Sequence, residues 1–231
     1  MIRYSKIPRG LPREILLLKG RGCKYRSCSF CDYYLDAGSE EEAAEANTPN
    51  IARLTGEYGA AEVVCSGSFT DIYGADLAAL RERLSRVKIK TLILEGHWED
   101  RIFIPRFREY FAQLNVIFKA GVETFDPEMG TLLGKRLGAG AAEIAAYFNH
   151  CNLLMGFRGQ TYQSAETDLR DALSRFERVC VNLFTENSSP MRRDERLVRE
   201  LEERLFPRFL DDPRVDILRE NTDFGVGRYD E

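Results

Sequence analysis

Three cysteines lie close together near the start of the chain, in a pattern that suits metal binding. Cys23, Cys28 and Cys31 have the spacing C-x4-C-x2-C. Thiolates are soft ligands typical of zinc and iron–sulfur sites. Three protein ligands on a cluster of four irons leave one iron open, and catalytic metal sites keep such an open position. The pattern therefore favours a [4Fe–4S] cluster whose open iron can take an amine and a carboxylate.

Other interpretations of the three cysteines remain open at the level of the sequence. A structural zinc site needs a fourth ligand, and a plant-type [2Fe–2S] ferredoxin uses the same spacing with one distant cysteine, for which Cys65 is available. A closed site of either kind would indicate a metal-stabilised module without enzymatic activity. Three unligated core cysteines are a further alternative. The candidates for a fourth ligand are Cys65, His97, His150, Cys151 and Cys180.

The elements that must position the cysteines alternate between short apolar runs and longer helical patterns. Such alternation predicts a parallel sheet with right-handed crossovers, either doubly wound or a partial barrel, with functional loops at the carboxyl ends of the strands. The cysteine loop directly follows the first run. The predicted strands are 14–19, 62–66, 91–95, 116–123, 152–157 and 179–184, with a short run at 215–218. The predicted helices begin near 39 and cover 75–87, 105–114, 127–133, 140–147, 165–178 and 194–206.

Two local features of the first helical region are predicted from single residues. Ser39 with Glu42 predicts a capping box at the start of the first helix. Pro49 predicts a break that divides this helical region into two pieces. No repeat or linker separates the chain into parts, so we expect one domain over residues 1–231, with 207–231 as a tail that closes the barrel.

Composition narrows the class of protein. The chain has 231 residues, 44% of them hydrophobic and 30% charged, and a net charge of −4. This mild charge predicts no stable nucleic-acid partner, since such proteins usually carry a strongly basic face. No uninterrupted apolar run is long enough for a membrane helix, and the first residues do not form a signal peptide. We therefore expect a cytoplasmic protein with no membrane partner and no disulfide framework, in which the cluster of three of the six cysteines serves metal chemistry.

With these features together, the cysteine segment resembles the radical-SAM superfamily, whose usual signature is C-x3-C-x-aromatic-C. Phe30 occupies the aromatic position before Cys31, and one extra residue separates Cys23 from Cys28. The resemblance implies a partial (βα)6 TIM-like barrel, a [4Fe–4S] cluster on the three cysteines and S-adenosylmethionine as cofactor. It also implies an electron donor such as flavodoxin or ferredoxin. The reduced cluster would cleave the cofactor to a 5′-deoxyadenosyl radical that abstracts hydrogen from a substrate.

The resemblance also implies roles for residues at the strand ends. Phe30 would pack near the adenine, and the turn after the second strand would bind the methionyl amine, although it lacks the usual acidic residue. Glu123 would contact the ribose or the methionyl group. Turn glycines and capping asparagines are the plain alternatives for several of these positions. The remaining residues carried over are Ser66, Gly67 and Ser68, the fifth-strand turn with Gly156 and 159–161, and Asn182 and Asn187 near the adenosine.

The shortness of the chain predicts a small substrate or the base of a nucleoside. The segment Cys31-Asp32-Tyr33 and the tail 221–227 are similar to those of the compact radical-SAM queuosine lyases of queuine salvage, which release queuine from queuosine or its 5′-phosphate. The resemblance implies that Glu95, His97 and Asp223 contact the base or the ribose. It also implies that Arg101 or Arg158 binds the phosphate. A small 7-deazapurine synthase and a glycyl-radical activase are the alternative radical-SAM enzymes.

Overall fold

One sheet of eight strands organises the chain. A computed structural model describes residues 2–135 and 137–219. The strands follow one another in the sheet in the order of the sequence; β1 is antiparallel to β2, and β2 to β8 are all parallel. They are β1 Tyr4–Ile7, β2 Arg13–Leu18, β3 Ala60–Cys65, β4 Thr91–Gly96, β5 Asn115–Glu123, β6 His150–Met155, β7 Arg178–Leu183 and β8 Val215–Leu218.

The sheet curls into a partial barrel. In a flat sheet, β2 and β8 would be six strand spacings apart, roughly 29 Å at about 4.8 Å each. Instead, Arg13 Nη1 on β2 lies 3.1 Å from Asp216 Oδ2 on β8. The strand order never reverses, which excludes the doubly wound sheet, because that fold changes direction at a switch point. Within the described residues no ladder joins β8 to β1, so the barrel stays open.

Helices follow most of the parallel strands and cover the outside of the barrel. The strands alternate accordingly: on β5, Phe118, Ala120 and Val122 pack in the helix-facing core, whereas Lys119 and Glu123 point inward. The helices are α1 Glu40–Ile51, α2 Gly74–Arg86, α3 Ile104–Tyr110, α4 Pro127–Leu132, α5 Ala141–Ala145, α6 Tyr162–Leu173 and α7 Glu195–Glu200. After α7 the chain continues through a π-helical turn, Leu201–Leu205, and a 3-10 turn, Phe206–Arg208.

The interior of the barrel at its amino-terminal end is a chain of buried charges. Arg13 pairs with both Glu62 and Asp216, and Lys119 pairs with Glu62 from the other side. Lys119 Nζ also lies 3.2 Å from Glu95 Oε2, which is nearer the carboxyl ends of the strands. Acids and bases alternate, because an unpaired charge taken out of water is strongly destabilising. We call Arg13, Glu62, Lys119 and Glu95 the ionic chain.

The expected strands agree with the structure, and two local expectations do not. The six predicted strands are confirmed as β2 to β7, and the run at 215–218 is β8. The capping box at Ser39 is present, with Glu42 donating and accepting as expected. The predicted break at Pro49 is wrong: Pro49 lies inside α1, which continues to Ile51, so the loss of one N–H does not divide the helix into two pieces. Strand β1 was missing from the sequence-based expectation.

Candidate active site

A cavity of about 370 Å³ opens at the carboxyl ends of the parallel strands. The loops that follow β2, β3 and β4 contribute to its wall, and so do the ends of β5 and β6, the loop after α4 and the segment after β7. This is the end of a parallel barrel at which functional residues collect. Of the residues expected to be functional, the lining includes Cys23, Cys28, Phe30, Cys31, Gly67, Ser68, Glu95, His97, Glu123, Asn182 and Asn187.

Neighbouring loops hold the cysteine loop in place. From one side, Ser29 N donates to Leu133 O at 2.9 Å, just after α4. From the other side, Met191 N donates to Ser29 O at 3.1 Å, and Asn187 Nδ2 donates to Phe30 O at 2.9 Å. The backbone between the second and third cysteines is therefore fixed by two loops that are distant in sequence, which orders the thiols before any ligand binds.

The three thiols fit an iron–sulfur cluster better than a single metal ion. Between residues 2–135 and 137–219, no three histidine, cysteine or acidic side chains lie close enough to hold one ion. A zinc site requires four converging donors, whereas each thiolate of a four-iron cluster binds a different iron. All three cysteines are free thiols that are partly exposed and line the cavity. Burial raises the pKa of Cys31 to about 12, so metal binding must displace its proton.

The turn after β3 packs directly against the cysteine loop. A Cβ on Gly67 would lie 3.1 Å from the backbone nitrogen of Cys23, so this glycine permits close approach of the turn and the cysteine loop. The carboxylate of Asp71 returns to the turn and accepts the Ser68 N–H at 2.8 Å. Burial raises the pKa of Asp71, which lines the cavity. Asp71 thus brings to this turn the acidic group that the segment 66–68 lacks.

Glu123 and Lys135 form an ion pair in the cavity wall. Lys135 Nζ lies 3.1 Å from Glu123 Oε1, and both side chains are 11% exposed. Glu123 has a left-handed backbone with φ of 69°, and the ladder between β5 and β6 shifts register there. Such strain in a non-glycine residue is typical of functional sites. Burial raises the pKa of Glu123, and the ammonium of Lys135 opposes this effect.

His97 lies in the cavity as a neutral ring. Its centroid is 4.0 Å from that of Tyr25, and its Nδ1 accepts the Glu99 N–H at 3.2 Å. Burial, reinforced by Lys135, lowers the pKa of His97 to about 4. The Glu99 carboxylate in turn accepts the Tyr25 hydroxyl at 2.8 Å. The 95–99 segment therefore presents aromatic and polar surfaces to a ligand.

Some expected residues lie elsewhere. The Arg101 guanidinium stacks on the Trp98 ring at 4.0 Å outside the cavity lining, and Arg158 is exposed on a turn. Ser66 is buried and supports the wall by accepting the Gly20 N–H at 2.9 Å. Asp223 and the tail 221–227 lie outside the described residues. At the turn after β6, which was predicted as the fifth strand, Gln160 accepts a hydrogen bond from the Gly156 N–H and donates one to the Leu154 carbonyl.

The structure adds lining residues that the sequence did not single out. Asp71, Lys135 and Asn152 are the polar ones with the clearest positions. Asn152 points into the barrel from β6 and is 4% exposed. Only Asp71 carried a signal, because it is an acidic residue three positions after Ser68 in the turn, which is the pattern of a capping box.

Comparison with known proteins agrees with this geometry. The structure of queuine lyase from Clostridium spiroforme bound to SAM and queuine superposes with a TM-score of 0.90 at 34% identity, covering 99% of this chain and 100% of that one. The crystal structure of methylornithine synthase (PylB) has a TM-score of 0.60 at 20% identity, covering 88% of this chain and 63% of that one. A scan of protein-family models and a search of curated proteins gave no match.

The curled parallel sheet with a three-cysteine loop after its first parallel strand defines a radical-SAM enzyme. Full-length similarity at 34% identity is more specific than the fold. The chain belongs to the queuine lyase family of the radical-SAM superfamily. In the part of the chain that the structure describes, no helix is long and apolar enough to cross a membrane.

Proposed function

We propose that this protein is a radical-SAM lyase that releases queuine from queuosine or queuosine 5′-phosphate. The observation that carries the proposal is the similarity over the whole chain to a queuine lyase bound to SAM and queuine. The cavity supports it, because cysteines lie on one wall and polar side chains suited to a nucleoside lie on the others. An external electron donor, such as flavodoxin or ferredoxin, is part of the proposal.

Cys23, Cys28 and Cys31 would hold a [4Fe–4S] cluster with one open iron. When bound, this cluster supplies the electron that cleaves S-adenosylmethionine to the radical that removes hydrogen from the substrate. The protein must orient the reactants and exclude water. The two loops that fix Ser29 and Phe30 keep the ligands in place for this purpose.

The wall beside the cysteine loop would bind S-adenosylmethionine. Asp71 would accept a hydrogen bond from the methionyl amine, since its carboxylate lies beside Gly67 and Cys23. Glu123, oriented by Lys135, would accept hydroxyl groups of the ribose or contact the methionyl group. Asn182, from β7, would contact the adenosine, and Phe30 would pack near the adenine.

The remaining wall would bind the nucleoside. Glu95, on β4, and His97, just after β4, line the cavity, and β4 is adjacent to β5. Because the His97 pKa is about 4, its ring is neutral at pH 7, and it can share hydrogen bonds with hydroxyl groups without adding charge. Arg101 and Arg158 lie outside the lining, so a 5′-phosphate would meet other groups or extend toward solvent.

Product analysis tests this proposal. The protein is reconstituted anaerobically with iron and sulfide, reduced, and incubated with S-adenosylmethionine and queuosine 5′-phosphate. We expect free queuine and 5′-deoxyadenosine by mass spectrometry, and an electron paramagnetic resonance signal that shifts on addition of S-adenosylmethionine. Formation of 5′-deoxyadenosine without queuine would reject the substrate and leave the radical chemistry intact. A resonance signal that does not change when S-adenosylmethionine is added would contradict the assignment of an open iron.

Two cysteine variants provide the matched comparison. Cys31→Ser is expected to lose the cluster, because it removes a ligand at the cavity wall. Cys151→Ala is expected to retain the cluster, because Cys151 is fully buried in the helix-facing core. Iron content and the resonance signal are measured for both. Equal loss of iron in the two variants would indicate a fourth protein ligand and contradict the open-iron assignment.

A further inference from the structure

A surface outside the cavity, next to the cysteine loop, carries three arginines and one exposed leucine. They are Arg26, Leu132, Arg158 and Arg192, and we call them the arginine face. All four side chains are exposed, and none of them lines the cavity. They come from the cysteine loop, the end of α4, the turn after β6 and the segment after β7. The fold therefore brings together residues that are distant in sequence.

Leu132 and Arg192 belong to the two segments that hold the cysteine loop at Ser29. Ser29 Oγ donates to Leu132 O at 2.9 Å, and Met191 N donates to Ser29 O at 3.1 Å. The Arg192 side chain lies along the same segment, since its Nη1 donates to Met191 O at 3.0 Å. Ser29 directly follows Cys28, which lines the cavity. The arginine face and the thiols are thus separated by one short stretch of backbone.

Arg158 and Arg26 extend this surface. Arg158 N donates to Arg192 O at 2.8 Å. The next residue, Gly159, lies against Leu132, because a Cβ on this glycine would be 2.6 Å from Leu132 Cδ2. Arg26 is exposed on the cysteine loop itself. Three segments therefore bring one guanidinium each to the outside of the cysteine loop, close to an apolar side chain that is 42% exposed.

The positive charge of this face is not compensated by neighbouring acids. Within the described part of the chain, no carboxylate forms an ion pair with Arg26, Arg158 or Arg192. Arg193, by contrast, pairs with Glu195 at 3.0 Å. The chain as a whole has a net charge of −4, so the positive excess is local. Arginine is enriched in protein–protein interfaces, and a positive surface there meets a negative one on the partner.

We propose that the arginine face docks an acidic one-electron carrier protein, which reduces the cluster across the backbone of the cysteine loop. The inference rests on the proposed function and names the surface at which the external donor binds. Small molecules would occupy the cavity side of the loop, so a protein partner approaches from the outside. One electron leaves the carrier, which is oxidised, and enters the cluster, which is reduced; no atom is transferred. Electron-transfer encounters of this kind need only a small interface.

Charge reversal tests the arginine face through the kinetics of cluster reduction. The reconstituted protein, without S-adenosylmethionine or substrate, is mixed anaerobically with prereduced flavodoxin in a stopped-flow instrument. We expect the double variant Arg158→Glu/Arg192→Glu to be reduced about ten- to hundred-fold more slowly at low ionic strength, because complementary charge accelerates association. The difference should shrink in high salt, since exposed charges are then screened.

Two controls separate docking from damage to the cluster loop. Photoreduced deazariboflavin, a small uncharged reductant, should reduce wild type and Arg158→Glu/Arg192→Glu at the same rate, because it needs no docking surface. Arg106→Glu/Arg175→Glu is the matched double variant with the same change of charge. Both of these arginines are exposed, one on α3 and one just after α6, and both lie outside the arginine face. Flavodoxin should reduce this variant at the wild-type rate.

Leu132→Ser should give a different kinetic signature. It removes apolar contact area without changing charge, so it should speed dissociation of the carrier and leave the salt dependence as in wild type. We expect the flavodoxin concentration for half-maximal reduction rate to rise about three- to ten-fold. A wild-type concentration dependence in this variant would remove the leucine from the docking surface.

The outcomes distinguish this inference from the proposed function. Equal flavodoxin rates in wild type and Arg158→Glu/Arg192→Glu, or equal slowing in the matched variant, would overturn the docking assignment and leave queuine release unaffected. A slower reaction with deazariboflavin would also overturn it, as would a wild-type cluster that neither flavodoxin nor ferredoxin reduces. If the variants weaken transfer RNA binding but not reduction, the face binds nucleic acid instead. Reduction that depends on the face, without release of queuine, would support docking and reject the proposed substrate.

Discussion

Replacement of Lys119 by methionine probes the ionic chain inside the barrel. Lys119 is 5% exposed and pairs with Glu62 and Glu95. Burial alone would raise the pKa of Glu62, but Arg13 and Lys119 outweigh it and hold the pKa at about 2. Among the described residues, the variant leaves Arg13 as the one ion-pair partner of the Glu62 carboxylate, which is 1% exposed.

The size of the effect is estimated from the pKa of Glu62 and from the usual cost of breaking a buried ion pair. A depression from 4.5 to about 2 corresponds to roughly 3 kcal/mol of folding free energy, which Arg13 and Lys119 supply together. Removing one partner of a buried pair costs a similar amount, about 3–5 kcal/mol. We therefore expect Lys119→Met to lower the free energy of unfolding at pH 7 by about 3 kcal/mol.

The effect has a defined dependence on pH. A carboxylate with a depressed pKa stabilises the fold above its unfolded-state pKa, and this stability is lost as the pH falls toward the folded-state pKa. The wild-type protein should therefore lose the Glu62 contribution between about pH 4.5 and pH 2. The difference between wild type and Lys119→Met should be constant near pH 7 and shrink below pH 4.5.

Urea unfolding at several pH values measures both quantities. Lys90→Met is the matched control, because Lys90 is exposed, and it should change stability little. In a Glu62→Gln background, Lys119→Met should cost less, since the carboxylate that it neutralises is gone. Additive costs in that double variant, or a loss independent of pH, would refute the account of the ionic chain.

Two further predictions concern local features. Gly67→Ala should weaken S-adenosylmethionine binding, measured by calorimetry, because the new Cβ would lie 2.3 Å from Asp71 Oδ2 and 3.1 Å from Cys23 N; unchanged affinity would show that the turn is not part of the cofactor site. Ser39→Ala should reduce the free energy of unfolding by about 1 kcal/mol through loss of the capping box with Glu42, with cluster content unchanged.

The strands and the cysteine loop were predictable from the sequence because their signals are local. Apolar runs identified β2 to β7, and the spacing of Cys23, Cys28 and Cys31 placed a metal-binding loop after the first of them. Strand β1 gave a weak signal, since Tyr4–Ile7 is short and three of its four residues are only partly buried. Its antiparallel pairing depends on β2, which a local pattern does not show.

The polar interior could not be predicted, because it depends on contacts between distant residues. Glu62 and Lys119 each occupy one position in an apolar strand, and only the curl of the sheet brings them together. Asn152 looks like any polar residue at the start of a strand until its neighbours on β5 are known.

The pairing of Arg13 with Asp216 also bears on how the protein folds during synthesis. The two residues are separated by 203 positions, so the contact cannot form until nearly all of the described chain has emerged from the ribosome. Until then, the guanidinium has only Glu62 as a nearby charged partner in the barrel. The contact that brings β8 close to β2 therefore forms late and joins residues that are far apart in sequence, which favours slow folding. Before β8 is synthesised, the edge of the sheet at β7 is unpaired, and chaperone protection would matter most at this stage.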